Sequence, residues 1–260
     1  MFVGRAMSRR TFLVLGGVGF AGAFFSSVAG CGGEGEGSSG VAMTSESENA
    51  EDSRQTAKIS TPRGTVRGVL YPVEGARAAM VMVGGAGGDT TGPAGIYDEL
   101  AIHLQTRGAE ALRLEYRTPN QLDECVYDLL AGIEALGQRG VEREVLVGWS
   151  FGGAVVISAG AANDAVVGVA TVASQTYGAE AVGELSHEKS LLLIHGTADR
   201  VLPYELSERL YAQAGEPKEL VLYQDDGHGV ERHRSEMLEK LHEWSRNILL
   251  GGSDTRQGEG

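Results

Sequence analysis

Three side chains in this sequence have the types, order and settings needed to move an acyl group. Residues 145–148 are a short apolar run leading into Gly148-Trp149-Ser150-Phe151-Gly152, and residues 154–159 can open a helix directly after it. That is the Gly-x-Ser-x-Gly elbow in its strand-turn-helix setting. The turn forces the serine into a strained backbone conformation with its neighbours packed close, so glycine is needed two residues to either side. With 39 glycines in the chain the pentapeptide alone is weak evidence, and its position between strand and helix is what gives it weight.

A serine hydroxyl is a poor nucleophile at neutral pH and requires a general base, itself oriented by a third group. Both are supplied downstream, each in a loop that follows an apolar run. The run 190–195 leads into Gly196-Thr197-Ala198-Asp199, and the run 219–223 leads into Gln224-Asp225-Asp226-Gly227-His228. Asp199 is read as the acid and His228 as the base. His195 ends a buried run and is read as a hydrogen-bonded structural residue; His103, His187, His233 and His242 are weaker rivals to His228. Asp225 and Asp226 lie too close to His228 along the chain to orient its ring.

These residues converge only if the strands are parallel and side by side, since open α/β sheets gather their chemistry at the carboxyl ends of the strands. The pattern predicts that arrangement. Continuous apolar runs at 78–83, 109–116, 145–148, 166–173, 190–195 and 219–223 suit strands covered on both faces. Leu122, Val126, Leu129, Leu130, Ile133 and Leu136 repeat at helical spacing, as do Met237, Leu241, Trp244 and Ile248. Residues 204–214 read as a further helix between Pro203 and Gly215, and 65–71 as an edge strand or hairpin arm. The fold class expected is α/β, a mostly parallel central sheet flanked by helices on both faces. Residues 174–189 are too few for a large cap domain, so an open cleft is expected.

The order Ser150, Asp199, His228, each after a strand, resembles the α/β-hydrolase superfamily, specifically its small dienelactone-hydrolase-like members, over about residues 64–249. The resemblance implies a nucleophile at Ser150, an acid at Asp199 and a base at His228. It also implies an oxyanion hole made by the backbone N–H of Phe151 and by one from the loop after residues 78–83. Many relatives carry a His-Gly pair in that loop. Here Gly84 replaces the histidine, and Ala86 is taken as the second donor. Dienelactone hydrolase itself has cysteine in the elbow, and serine here favours esterase-type or peptidase-type relatives. The expected activity is hydrolysis of carboxylic esters. A peptidase, an acyltransferase, a perhydrolase or a non-catalytic surface binding protein stays open as an alternative. The histidines lack paired spacing, so no metal and no cofactor are expected.

The amino terminus reads as an address. Ser8-Arg9-Arg10-Thr11-Phe12-Leu13 followed by an uncharged run to Val28 resembles a twin-arginine export signal over 1–30, and Val28-Ala29-Gly30-Cys31 resembles a lipobox. The resemblance implies lipid on Cys31 and attachment to the outer side of a bacterial membrane. Residues 31–56 are expected to be a flexible Gly/Ser/Glu linker, 57–250 the folded domain and 251–260 a disordered tail. Lys and Arg number 22 against 35 Asp and Glu, a net charge of −13, which argues against nucleic acid as a partner. A small ester or acyl compound and a membrane remain as partners. Cys125 lies in a helical apolar pattern and is read as a small buried hydrophobe.

Overall fold

The computed structural model describes residues 40–47, 53–185 and 187–251. The expected signal 1–30, Cys31 and positions 252–260 of the expected tail lie outside the described residues.

The strands are β1 (Ala42–Glu46), β2 (Gln55–Thr61), β3 (Gly64–Tyr71), β4 (Ala78–Val83), β5 (Glu110–Glu115), β6 (Arg143–Trp149), β7 (Val166–Val172), β8 (Ser190–Gly196) and β9 (Lys218–Tyr223). They form one sheet in the order β1-β2-β3-β5-β4-β6-β7-β8-β9. β1, β2 and β3 pair antiparallel, β3 joins β5 antiparallel, and the strands from β5 across to β9 run parallel. The helices are α1 (Tyr97–Gln105), α2 (Leu122–Gln138), α3 (Phe151–Ala162), α4 (Glu205–Gln213) and α5 (Arg234–Leu250).

The continuous apolar strands follow from burial on both faces. In β4, Ala79, Val81 and Val83 pack with α2 and α3, whereas Ala78, Met80 and Met82 pack with α1 and α5. β6 divides in the same way, Leu146 on the α2/α3 face and Val145 and Val147 on the other. Both layers are therefore held by the period-2 alternation of a few central strands. The expected fold class is observed. Among the described residues of 174–189 the one helical element is a short 3-10 turn, Glu180–Glu184, and there is no large cap.

Three elements depart from expectation. Within the stretch expected as a flexible linker, β1 pairs with β2 from Ala42 to Glu46, and Val41 is buried in the core. Ordered strand pairing therefore begins well before residue 57. β1 is an edge strand with one face outward, so its composition is mostly polar and resembles linker. β2 was not anticipated; it forms a hairpin with β3, which is the expected hairpin arm and is flanked by β2 and β5. α1 was not anticipated, although Tyr97, Leu100, Ala101 and Leu104 fall at helical spacing and are all fully buried. No helix among the described residues is long and apolar enough to cross a membrane.

α1 and α5 meet through a stacked pair of histidines, His103 and His242, with ring centroids 3.5 Å apart and planes 10° from parallel. Burial, together with His103 and Arg107 nearby, pushes the His242 imidazole down to about 4. The fold therefore favours neutral His242, and the stability this contributes is complete above the ordinary histidine pKa of about 6.5. It is lost as pH falls from there towards 4. Thermal melts of the full chain across this window are expected to show a falling midpoint, and His242→Phe, which keeps a stacked ring but cannot take a proton, is expected to flatten part of that fall.

Candidate active site

Ser150 stands between β6 and α3 with φ 58° and ψ −120°, a left-handed backbone on a non-glycine residue. Its N–H donates to Val172 O at 2.8 Å, and its own carbonyl accepts from Gly153 N–H at 3.0 Å. The flanking glycines are there because backbone meets backbone. A Cβ on Gly148 would lie 2.2 Å from Gly152 O, and one on Gly152 would lie 2.4 Å from Gly84 O. The loop after β4 thus rests directly on the elbow, and a Cβ on Gly85 would lie 3.4 Å from Ser150 Cβ. Ala86, the expected second oxyanion donor, is the next residue of that loop and is exposed; Phe151 is buried as the first residue of α3.

Asp199 follows β8, and its side chain is fully buried. Oδ1 accepts the N–H groups of Val201 at 2.7 Å and Leu202 at 3.0 Å. Oδ2 lies 2.7 Å from His228 Nδ1 and 3.1 Å from His195 Nε2. Burial pushes this carboxyl up, but the hydrogen bonds from His228, Leu202 and Val201 outweigh it and hold the group below the usual carboxylate value. An ionised carboxylate can only accept, so His228 Nδ1 donates, and Nε2 is the ring nitrogen left for proton transfer.

His228 follows β9, and its loop is fastened to the rest of the site at several points. Trp149 Nε1 donates to His228 O at 3.0 Å, and the two rings lie 5.6 Å apart. Ala198 N–H donates to Asp226 O at 2.8 Å, and Asp225 N–H donates to Thr197 Oγ1 at 2.9 Å, so the loops that carry Asp199 and His228 are tied together. Asp226, buried, accepts from the backbone of Gly227, Arg232 and His233 and from His233 Nδ1. It is turned to its own loop and away from His228, as its place in the sequence implies. Among the described residues Ser150 Oγ makes no hydrogen bond to His228. Trp149, the residue before Ser150 in the chain, is the side chain that the structure places against His228.

His195 is fully buried, with Nε2 between two acceptors, Asp199 Oδ2 and Leu202 O at 3.0 Å. That nitrogen therefore carries the proton, and Nδ1 accepts from Ser207 Oγ–H at 2.7 Å. Burial lowers its pKa, and the ring is a neutral donor at pH 7. Trp149, Ser207 and Thr197 are residues that sequence reasoning did not single out. Trp149 sits inside the elbow pentapeptide and could have been suspected, whereas nothing in the sequence around Ser207 marks it. Among the described residues no three His, Cys, Asp or Glu side chains are placed to share a metal ion.

With this geometry in place, the likeness to solved structures is informative. A dienelactone hydrolase from Anabaena variabilis aligns with a TM-score of 0.66 at 19% identity, covering 76% of this chain and 100% of that one. Est1E from Butyrivibrio proteoclasticus aligns at 0.63 and 17% identity, covering 73% and 96%, and the esterase domain of a Rhodothermus marinus protein at 0.61 and 18%, covering 75% and 98%. The chain has the α/β-hydrolase fold. Within it, a sequence model of the prolyl oligopeptidase family matches residues 171–251, the part of the α/β-hydrolase domain that carries Asp199 and His228. The uncharacterised protein YfhR of Escherichia coli strain K12 is 36% identical over 92 residues, 35% of this chain. The matched stretch spans only 31% of YfhR.

The close approaches predict unequal effects of one added methyl group. Gly152→Ala is expected to lower unfolding free energy by about 1–3 kcal/mol or more, because backbone must shift to admit the Cβ. Gly87→Ala, where a Cβ meets nothing within 4 Å, is expected to change it by less than about 0.5 kcal/mol. Urea denaturation midpoints of the two variants check this contrast.

Proposed function

We propose that this chain is a serine hydrolase that cleaves carboxylic esters through an acyl-enzyme. The observation carrying this reading is the 2.7 Å contact of His228 Nδ1 with a buried, ionised Asp199, set beside a serine held on a strained elbow. Ser150 Oγ attacks the ester carbonyl while His228 Nε2 takes its proton. The N–H groups of Phe151 and Ala86 meet the negative oxygen of the tetrahedral intermediate. The intermediate collapses, the alcohol leaves with the proton from His228, and Ser150 is left acylated. Water, deprotonated by His228, then releases the acid and restores the serine. Asp199 stays ionised throughout and stabilises the imidazolium.

The names of the structural neighbours, dienelactone hydrolase and esterases, support ester chemistry. The prolyl oligopeptidase match supports a second reading, in which the same three residues cleave a peptide bond. We further propose that the protein works outside the cytoplasm, held at a membrane by lipid on Cys31. The sequence resemblances at 8–13 and 28–31 support that placement.

Steady-state kinetics on parallel panels of p-nitrophenyl esters and chromogenic peptides test the assignment. Wild type is expected to turn over short esters. Ser150→Ala and His228→Ala are expected to abolish turnover, and Asp199→Asn to lower kcat on the order of 10³–10⁴-fold by favouring the wrong imidazole tautomer. Turnover retained in any one of the three variants breaks the assignment of that residue, and peptide cleavage without ester cleavage selects the second reading.

A further inference from the structure

Asp199 has two imidazole partners, and the proposed hydrolysis uses only one of them. The other, His195, stands on β8 with its side chain closed off from solvent. A polar ring in such a place costs stability unless its nitrogens are satisfied, and here both are. Nε2 lies 3.1 Å from Asp199 Oδ2 and 3.0 Å from Leu202 O, two groups that only accept, so it carries the ring proton. Nδ1 accepts from Ser207 Oγ–H at 2.7 Å, and Ser207 is itself fully buried on α4. With its one proton committed and no path to solvent, His195 cannot act as a rival base to His228.

Its bond to Asp199 differs in kind from the others on that carboxylate. An ionised carboxylate offers about four acceptor positions. Oδ1 is filled by the N–H groups of Val201 and Leu202, and Oδ2 by His228 Nδ1 and His195 Nε2. Val201 and Leu202 belong to the same loop as Asp199 and move with it. His228 is the group that has to be oriented. Of these four donors His195 alone is fixed to the sheet, since β8 pairs with β7 on one side and β9 on the other, His195 itself opposite Leu222. The contact with Leu202 O fastens to the same strand the loop that supplies the Oδ1 donors. Any displacement of Oδ2 is passed to the His228 ring and so to its Nε2, where the proton is transferred, and small errors of placement there are costly.

We propose that His195 is a positioning residue of the active site, its Nε2–H fixing Oδ2 of Asp199 against the sheet and thereby the imidazole of His228. The proposal rests on the reading of Asp199 and His228 as acid and base. It is distinct from a role in holding α4 to β8, which the bond from Ser207 to Nδ1 would serve alone.

Side chains of different reach separate the two bonds. His195→Gln keeps a donor N–H near the place of Nε2, whereas His195→Asn keeps an acceptor for Ser207 near that of Nδ1 and falls short of Asp199. His195→Met fills the space of the ring with neither. With p-nitrophenyl acetate and the full chain, His195→Asn and His195→Met are expected to lower kcat about 10–100-fold while KM changes less than about threefold, and His195→Gln to recover most of that loss. A second readout needs no turnover. The Nδ1 proton of His228, followed by NMR, is expected to stay sharp in wild type and His195→Gln and to broaden by exchange with water in the other two variants, with thermal melts recording stability separately. Equal kcat in His195→Asn and His195→Gln, a kcat that follows the melting midpoint and not the presence of the donor, or an Nδ1 proton resonance unaltered in His195→Asn and His195→Met overturns the proposal. A wild type that cleaves no ester but shows the expected resonance pattern supports the positioning role and counts against the hydrolase reading alone.

Discussion

The geometry of this molecule depends on a close crossing of backbones at the centre of the sheet. Gly148, Gly152 and Gly84 bring the end of β6, the start of α3 and the loop after β4 to distances no side chain would permit. Ser150 is thereby fixed at φ 58°, its side chain carried out of the turn towards the loop that contains Gly85 and Ala86. The strain is local and is sustained by the layers around it. β6 is bordered by β4 and β7 and packed on both faces, so the elbow cannot relax without disturbing two apolar cores at once.

A second constraint is the solvation of Asp199. Its buried carboxylate is surrounded by donors, two from its own loop and two from imidazoles, His195 on β8 and His228 on the loop after β9. Ionisation is stable there because the protein replaces water with fixed N–H groups, and the same groups fix where the carboxylate points. His228 inherits its orientation from that arrangement, and His195 with Ser207 extends it one layer deeper into the protein. Glu144 at the opposite end of β6 shows the contrasting case, a carboxyl equally removed from water but without donors, and it is pushed towards its neutral form.

The parallel strands and the three proposed catalytic residues were legible because each leaves a strong local mark. Central strands covered on both faces read as unbroken apolar runs, and an elbow needs its glycines. The edge of the sheet was less legible: β1 shows a polar face to solvent and resembles linker in composition. α1 is short and follows a loop with Gly92, Pro93 and Gly95, so its helical spacing is seen over little more than two turns. The partners of Asp199 beyond His228 could not be read at all. Ser207 reaches His195 only because α4 packs against β8, and Glu144 opens an apolar run with no neighbour in sequence that marks it as buried. Tertiary contact decides such residues, and no local pattern records it.

The most direct test of the central claim, that Ser150 is an activated nucleophile, is covalent labelling by a fluorophosphonate followed by peptide mass spectrometry of the full chain. The account predicts a single adduct on the peptide containing Ser150, its formation greatly slowed in His228→Ala. A folded wild-type chain that stays unlabelled, or carries its adduct on a different serine, would contradict it.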